Sequence, residues 1–97
     1  MKNVLIVEDS KAIRSMIRVA LEGEGDFFAI EAGNGFEALK TLPTRPFDLI
    51  ITDIKMSPVG GMEVLRAAKE YDPGVGVIMV TAYATVESAV EAMKIGA

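Results

Sequence analysis

The sequence predicts an α/β fold, an open parallel sheet doubly wound by helices. Two observations carry that prediction. Short runs of apolar and β-branched residues alternate four times with segments of helical periodicity, and the joining loops are short. The runs are apolar throughout and do not alternate with polar residues, as strands covered on both faces should be. Consecutive strands joined through helices must lie parallel, with right-handed crossovers that place helices on both sides.

Each element has its own signal. Val4 to Val7 ("VLIV") reads as the first buried strand. From Ser10 onward, Ile13, Met16, Ile17, Ala20 and Leu21 form a helical stripe, with Asp9 or Ser10 as the N-cap, and "EGEGD" (Glu22 to Asp26) stops it. Phe27 to Glu31 reads as a shorter strand near an edge. "GNG" (Gly33 to Gly35) turns the chain into a second helix carrying Phe36, Leu39 and Leu42 and closed by Pro43, with Asn34 tolerating left-handed geometry in the turn. Asp48 to Thr52 is the third strand. Met62, Leu65 and Ala68 mark a third helix ending near Tyr71 to Pro73. Val75 to Val80 is the fourth strand, and Thr85 caps a last helix with Val86, Ala89, Val90 and Met93 that stops at Gly96.

Composition narrows the function classes. Ninety-seven residues, 51% of them apolar, suffice for one domain, residues 1–97, with one core. A net charge of −4 with ten scattered Lys and Arg argues against direct contact with nucleic acid. No apolar run reaches the roughly 18–20 residues that cross a bilayer, and no membrane association is expected. Without cysteine or histidine, thiolate and imidazole chemistry is excluded, and a reducing cytoplasm is the expected compartment. Oxygen ligands on a hard cation remain.

In an open parallel sheet, ligands bind beyond the carboxyl ends of the strands. Strand one delivers Glu8 and Asp9 there, strand three Asp53, strand four Thr81 and Ala82, and strand two Glu31. If strands one and three are neighbours, three carboxylates meet in one crevice. Like charges so close need a cation, and Mg2+ suits an all-oxygen donor set. The alternative for any one acid is a helix cap or loop acceptor, which Asp favours for structural reasons. With charge neutralised, Asp53 could attack a phosphoryl donor and become an aspartyl-phosphate. Thr81 could then donate to the transferred group, and the small Ala82 would leave room for it. "GNGFEA" (Gly33 to Ala38) also fits a dinucleotide fingerprint, with Asp53 as the ribose acid. It sits in the second βα unit, however, and Glu8 and Asp9 would repel a pyrophosphate.

"VLIVEDS", "NGFEAL", "DLIITDIKM", "GGMEVL", "VIMVTAYAT" and "AVEAMKIGA", in this order, resemble the receiver domain of bacterial two-component response regulators. The resemblance implies the flavodoxin-like receiver fold with strand order 2-1-3-4 for the four strands present. It implies that Asp53 is the phosphoacceptor, that Glu8 and Asp9 hold Mg2+, and that the Lys55 backbone carbonyl is a further ligand. It makes Thr81 the switch hydroxyl and Ala82 the small residue beside the phosphate. A sensor histidine kinase is the implied partner, and the product a phosphorylated signalling module, not a conventional enzyme. The stretch from Thr81 to Ala97 is most similar to receivers of transcriptional activators, implying an output domain beyond residue 97.

Three departures set further expectations. The family's usual loop proline falls one position late, with Ser57 preceding Pro58, and Gly60 stands where Asp or Asn is usual, so this loop should be more pliable. Apart from these departures, a long basic side chain at Lys55 is expected to slow hydrolysis of the phosphate. The family's fifth strand, its phosphate-clamping lysine and its fifth helix have no counterpart before Ala97. On that reading the domain is incomplete, both phosphoryl transfer and its coupling to a switch are weakened, and the bare fourth strand favours a homodimer or swapped oligomer. The competing expectation is a structural module that pairs through that strand without phosphorylation.

Overall fold

In the computed structural model, residues 1–53 and 60–79 are described. Strand β1 (Lys2–Val7) leads to helix α1 (Lys11–Gly23), strand β2 (Phe27–Ala32), helix α2 (Gly35–Thr41), strand β3 (Leu49–Thr52), helix α3 (Gly61–Tyr71) and strand β4 (Gly76–Met79). All pairings are parallel and the order is β2-β1-β3-β4. The expected order of the four strands is therefore the observed one. The last expected helix, and Val80 at the end of the fourth strand, lie outside the described residues.

The sheet is apolar on both faces because consecutive strand residues point opposite ways. Leu5 and Val7 of β1 and Ile50 of β3 join Ala38, Val64, Leu65 and Ala68 in the larger cluster beneath α2 and α3. Val4, Ile6, Ala29 and Ile51 face the other way, against Ile17 and Leu21 of α1. The register aligns Val7 with both Ala32 and Thr52, so β1, β2 and β3 end level with one another.

Several local details differ from the sequence expectation. Strand β2 is as long as β1, six residues each, because its register with β1 persists from Lys2–Phe27 to Val7–Ala32. The α1 stripe is only partly a core face: Ile17 and Leu21 pack on the sheet, while Ile13 and Met16 are exposed. Ser10, the N-cap, accepts a hydrogen bond from the Ile13 N–H. Gly25 supplies the positive φ (89°) that turns the chain after α1. Asn34 is extended (φ −162°) and not left-handed; its Oδ1 caps α2 by accepting from the Glu37 N–H at 2.8 Å. As expected, α2 closes just before Pro43, which sits in a single 3-10 turn, Leu42–Thr44, after the helix ends at Thr41.

Candidate functional site

The level strand ends of β1 and β3 create the site. The β1–β3 ladder continues one step past the end of β3, where the Asp53 N–H donates to the Val7 carbonyl at 3.2 Å. On the other side, the Glu8 N–H donates to the Ala32 carbonyl at 3.1 Å and ties Glu8 to β2. Buried apolar strands thus deliver acids to one edge. Glu8, Asp9 and Asp53 each offer a carboxylate oxygen, and these oxygens lie within 4.8 Å of one another. Glu8 is buried, Asp53 half-buried and Asp9 exposed, so the cluster runs from the sheet edge outward.

Electrostatics set Glu8 apart. Burial raises its carboxyl above the ordinary carboxylate range, as does the Asp53 charge, which also accepts a hydrogen bond from the protonated form; Asp9 adds to the repulsion. The Ser10 backbone N–H works the other way. A site that makes one of its acids hard to ionise is a site short of positive charge. The donor set is all oxygen and open on the Asp9 side, which fits a hard divalent ion with retained waters.

The expected site residues divide clearly. Glu8, Asp9 and Asp53 are brought together. Lys55, Thr81 and Ala82 lie outside the described residues, as do Ser57 and Pro58. Gly60 is the N-cap of α3 and has extended backbone. Glu31 does not join the acidic group. Its carboxylate accepts from Arg14 Nε at 2.9 Å and from Arg18 Nη1 at 3.0 Å, and these two guanidinium groups hold it below the usual carboxylate range. Arg14 also reaches the site: its Nη1 donates to the Glu8 carbonyl oxygen at 2.7 Å. Sequence reasoning missed that role. Its one trace was the placement of Arg14, Arg18 and Glu22 four residues apart on one helix beside a strand ending in Glu31.

The dinucleotide alternative loses its binding surface. The Glu37 carboxylate accepts from the Gly33 N–H at 2.9 Å, so the start of α2 already holds a negative group where a pyrophosphate would lie. A hollow of about 490 Å³ lies toward the opposite end of the sheet, lined by Leu42, Phe47, Ile50, Ala68, Tyr71 and Val75 among others. The acidic group is thus separate from it, and is the cluster of this kind found among the described residues. No helix among them is long and apolar enough to cross a membrane.

Comparison with known proteins gives a consistent result. The response regulator receiver domain model matches residues 4–97. The transcriptional regulatory protein ZraR of Klebsiella oxytoca is 37% identical over 95 residues, covering 98% of this chain and 21% of that protein. A putative NtrX-like response regulator of Rickettsia felis is 38% identical over 97 residues and is covered to 20%. The chain therefore spans about a fifth of the length of these relatives. Among solved structures, a CheY-like receiver domain protein from Methanospirillum hungatei superimposes with a TM-score of 0.95 at 36% identity, over all of this chain and 77% of that one. A response regulator from Burkholderia pseudomallei, described with a phosphorylated aspartic acid, a calcium ion and citrate, gives 0.92 at 28% identity, over all of this chain and 56% of that one.

Proposed function

The chain belongs to the response regulator receiver domain family of two-component systems, and from that premise we propose that it accepts a phosphoryl group on Asp53. The observation that carries this reading is the meeting of Glu8, Asp9 and Asp53 at the carboxyl ends of β1 and β3. The donor is a phosphohistidine on a sensor histidine kinase. An Asp53 carboxylate oxygen attacks phosphorus as the P–N bond breaks, and the bonding pair leaves with the imidazole nitrogen. The product is an acyl phosphate on Asp53. The domain is consumed stoichiometrically, as a signalling module and not as a turnover enzyme.

Glu8, Asp9 and Asp53 would hold Mg2+, with the Lys55 backbone carbonyl as a further ligand. The chemistry supplied by that ion is charge neutralisation beside the transferred oxygens. The rest belongs to the chain. Because the Asp53 N–H is bonded to Val7, the nucleophile is held by the sheet edge and not by a free loop. Burial of Glu8 limits water on the inner side of the site. We assign Thr81 as the hydroxyl that donates to the bound phosphoryl group and Ala82 as the neighbour whose small size admits it. The Burkholderia protein, described with a phosphorylated aspartic acid and a calcium ion, supports aspartate phosphorylation as chemistry that this fold can carry. The relatives that are transcriptional regulators point to an output in gene control, in a longer cytoplasmic protein of which this chain is the input.

Incubation with acetyl phosphate and Mg2+, followed by intact-protein mass measurement, tests the reading. The protein should gain one phosphoryl group, Asp53→Asn should gain none, and EDTA should abolish the gain. An unmodified wild type, or a modified Asp53→Asn, would overturn it.

A further inference from the structure

Arg14 makes contacts that a helix-surface arginine has no need of. It sits in the first turn of α1, where its N–H donates to the Ser10 carbonyl at 2.9 Å, and its side chain is only 16% exposed. Its guanidinium spans two elements. Nη1 donates to the Glu8 carbonyl at 2.7 Å, while Nε donates to the Glu31 carboxylate at 2.9 Å. Glu31 is itself fixed from its other oxygen by Arg18 at 3.0 Å. Arg14 is thus clamped at one end by a strand-borne acid and presses the other end on a single peptide group.

That peptide group joins Glu8 to Asp9. Its carbonyl belongs to Glu8 and its N–H to Asp9, so fixing its plane fixes the directions in which both carboxylates leave the backbone. The preceding peptide is already held, since the Glu8 N–H is bonded to Ala32. Among the described contacts, Arg14 is what holds the next one. We propose that Arg14 is a positioning residue for the cation site, acting through the Glu8–Asp9 peptide and braced by Glu31. The inference rests on the proposed Mg2+ site and deepens it. Groups that orient ligands without touching the metal commonly change affinity by about 10–100-fold when removed.

Geometry also dictates the test. A guanidinium is a rigid fork that can serve two acceptors in fixed directions, whereas a lysine ammonium is a point donor. Arg14→Lys keeps the charge and loses the bridge; Arg14→Met loses both. Arg18→Ala is the control, because Arg18 shares Glu31 but does not contact the Glu8 peptide. Mg2+ affinity is measured by titration calorimetry, and the Glu8 carbonyl 13C shift is recorded without cation. Both Arg14 variants should bind Mg2+ at least about tenfold more weakly and move the Glu8 carbonyl resonance. Arg18→Ala, which leaves the Arg14 bonds to Glu31 and to the Glu8 carbonyl in place, should lose clearly less affinity than either Arg14 variant and leave that resonance in place. Wild-type affinity in Arg14→Lys, or an equal loss in Arg18→Ala, would overturn the inference while leaving the proposed function standing. A wild-type protein that binds no Mg2+ would overturn both. If Arg14→Met does not fold, Arg14→Lys decides alone.

Discussion

Glu8 shows how one residue carries opposed demands. It is buried at the end of an apolar strand, beside Asp53 and Asp9, and its charged form is disfavoured by all three circumstances. A designer of stability alone would place no acid there. Glu8→Gln keeps the shape and a hydrogen-bonding oxygen while removing the charge. It should therefore stabilise the cation-free protein at neutral pH, by about 1 kcal/mol on the scale typical of relieved functional-site strain. The same change should weaken Mg2+ binding. Urea unfolding in EDTA, with Mg2+ titration alongside, checks both halves, and a destabilised Glu8→Gln would show that repulsion is not what raises the Glu8 carboxyl. The three acids were legible in the sequence because each ends an apolar run. The role of Arg14 was not, since nothing in a six-residue separation from Glu8 tells a side chain to fold back on that carbonyl.

At the scale of elements, the sequence revealed what burial dictates and concealed what local hydrogen bonds decide. The parallel strands and their order follow from the apolar runs and the family pattern, and they are observed as expected. The turn into α2 differs from the sequence expectation, because Asn favours both left-handed turns and helix caps, and composition cannot choose between them. The structure chooses the cap: Asn34 is extended and accepts from the Glu37 N–H, while Glu37 in return accepts from the Gly33 N–H. This distinction is measurable. Asn34→Ala should cost about 1 kcal/mol, and Asn34→Gly only a few tenths. Had Asn34 been left-handed, Gly would instead have been the better residue and would raise stability. Denaturant unfolding of the two variants separates the cases by sign. The half-exposed stripe of α1 has a similar origin, since periodicity marks which residues share a face and not how much of that face the sheet covers.

For the whole molecule, two titrating groups at the same end of the sheet should shape stability in opposite directions. The folded-state pKa of Glu8 is raised, so between its unfolded and folded values the native state binds more protons than the unfolded chain. Stability from this group falls as pH rises through that window. Glu31 is lowered by Arg18 and Arg14, so its contribution is complete above the unfolded value and is lost as pH falls toward the folded one. Arg18 is partly exposed, and solvent screening keeps that second contribution small. Without cation, the two limbs meet in a mildly acidic optimum. Glu8→Gln should flatten the upper limb alone and Glu31→Gln the lower limb alone. Mg2+ should reverse the upper limb, because it binds the folded site and adds stability by mass action where Glu8 is ionised. That gain should shrink as acid returns a proton to Glu8. Thermal unfolding across pH, in EDTA and in saturating Mg2+, would show the two curves converging in acid and parting toward neutrality. Parallel curves would mean that the ion stabilises the protein elsewhere than at the end of β1.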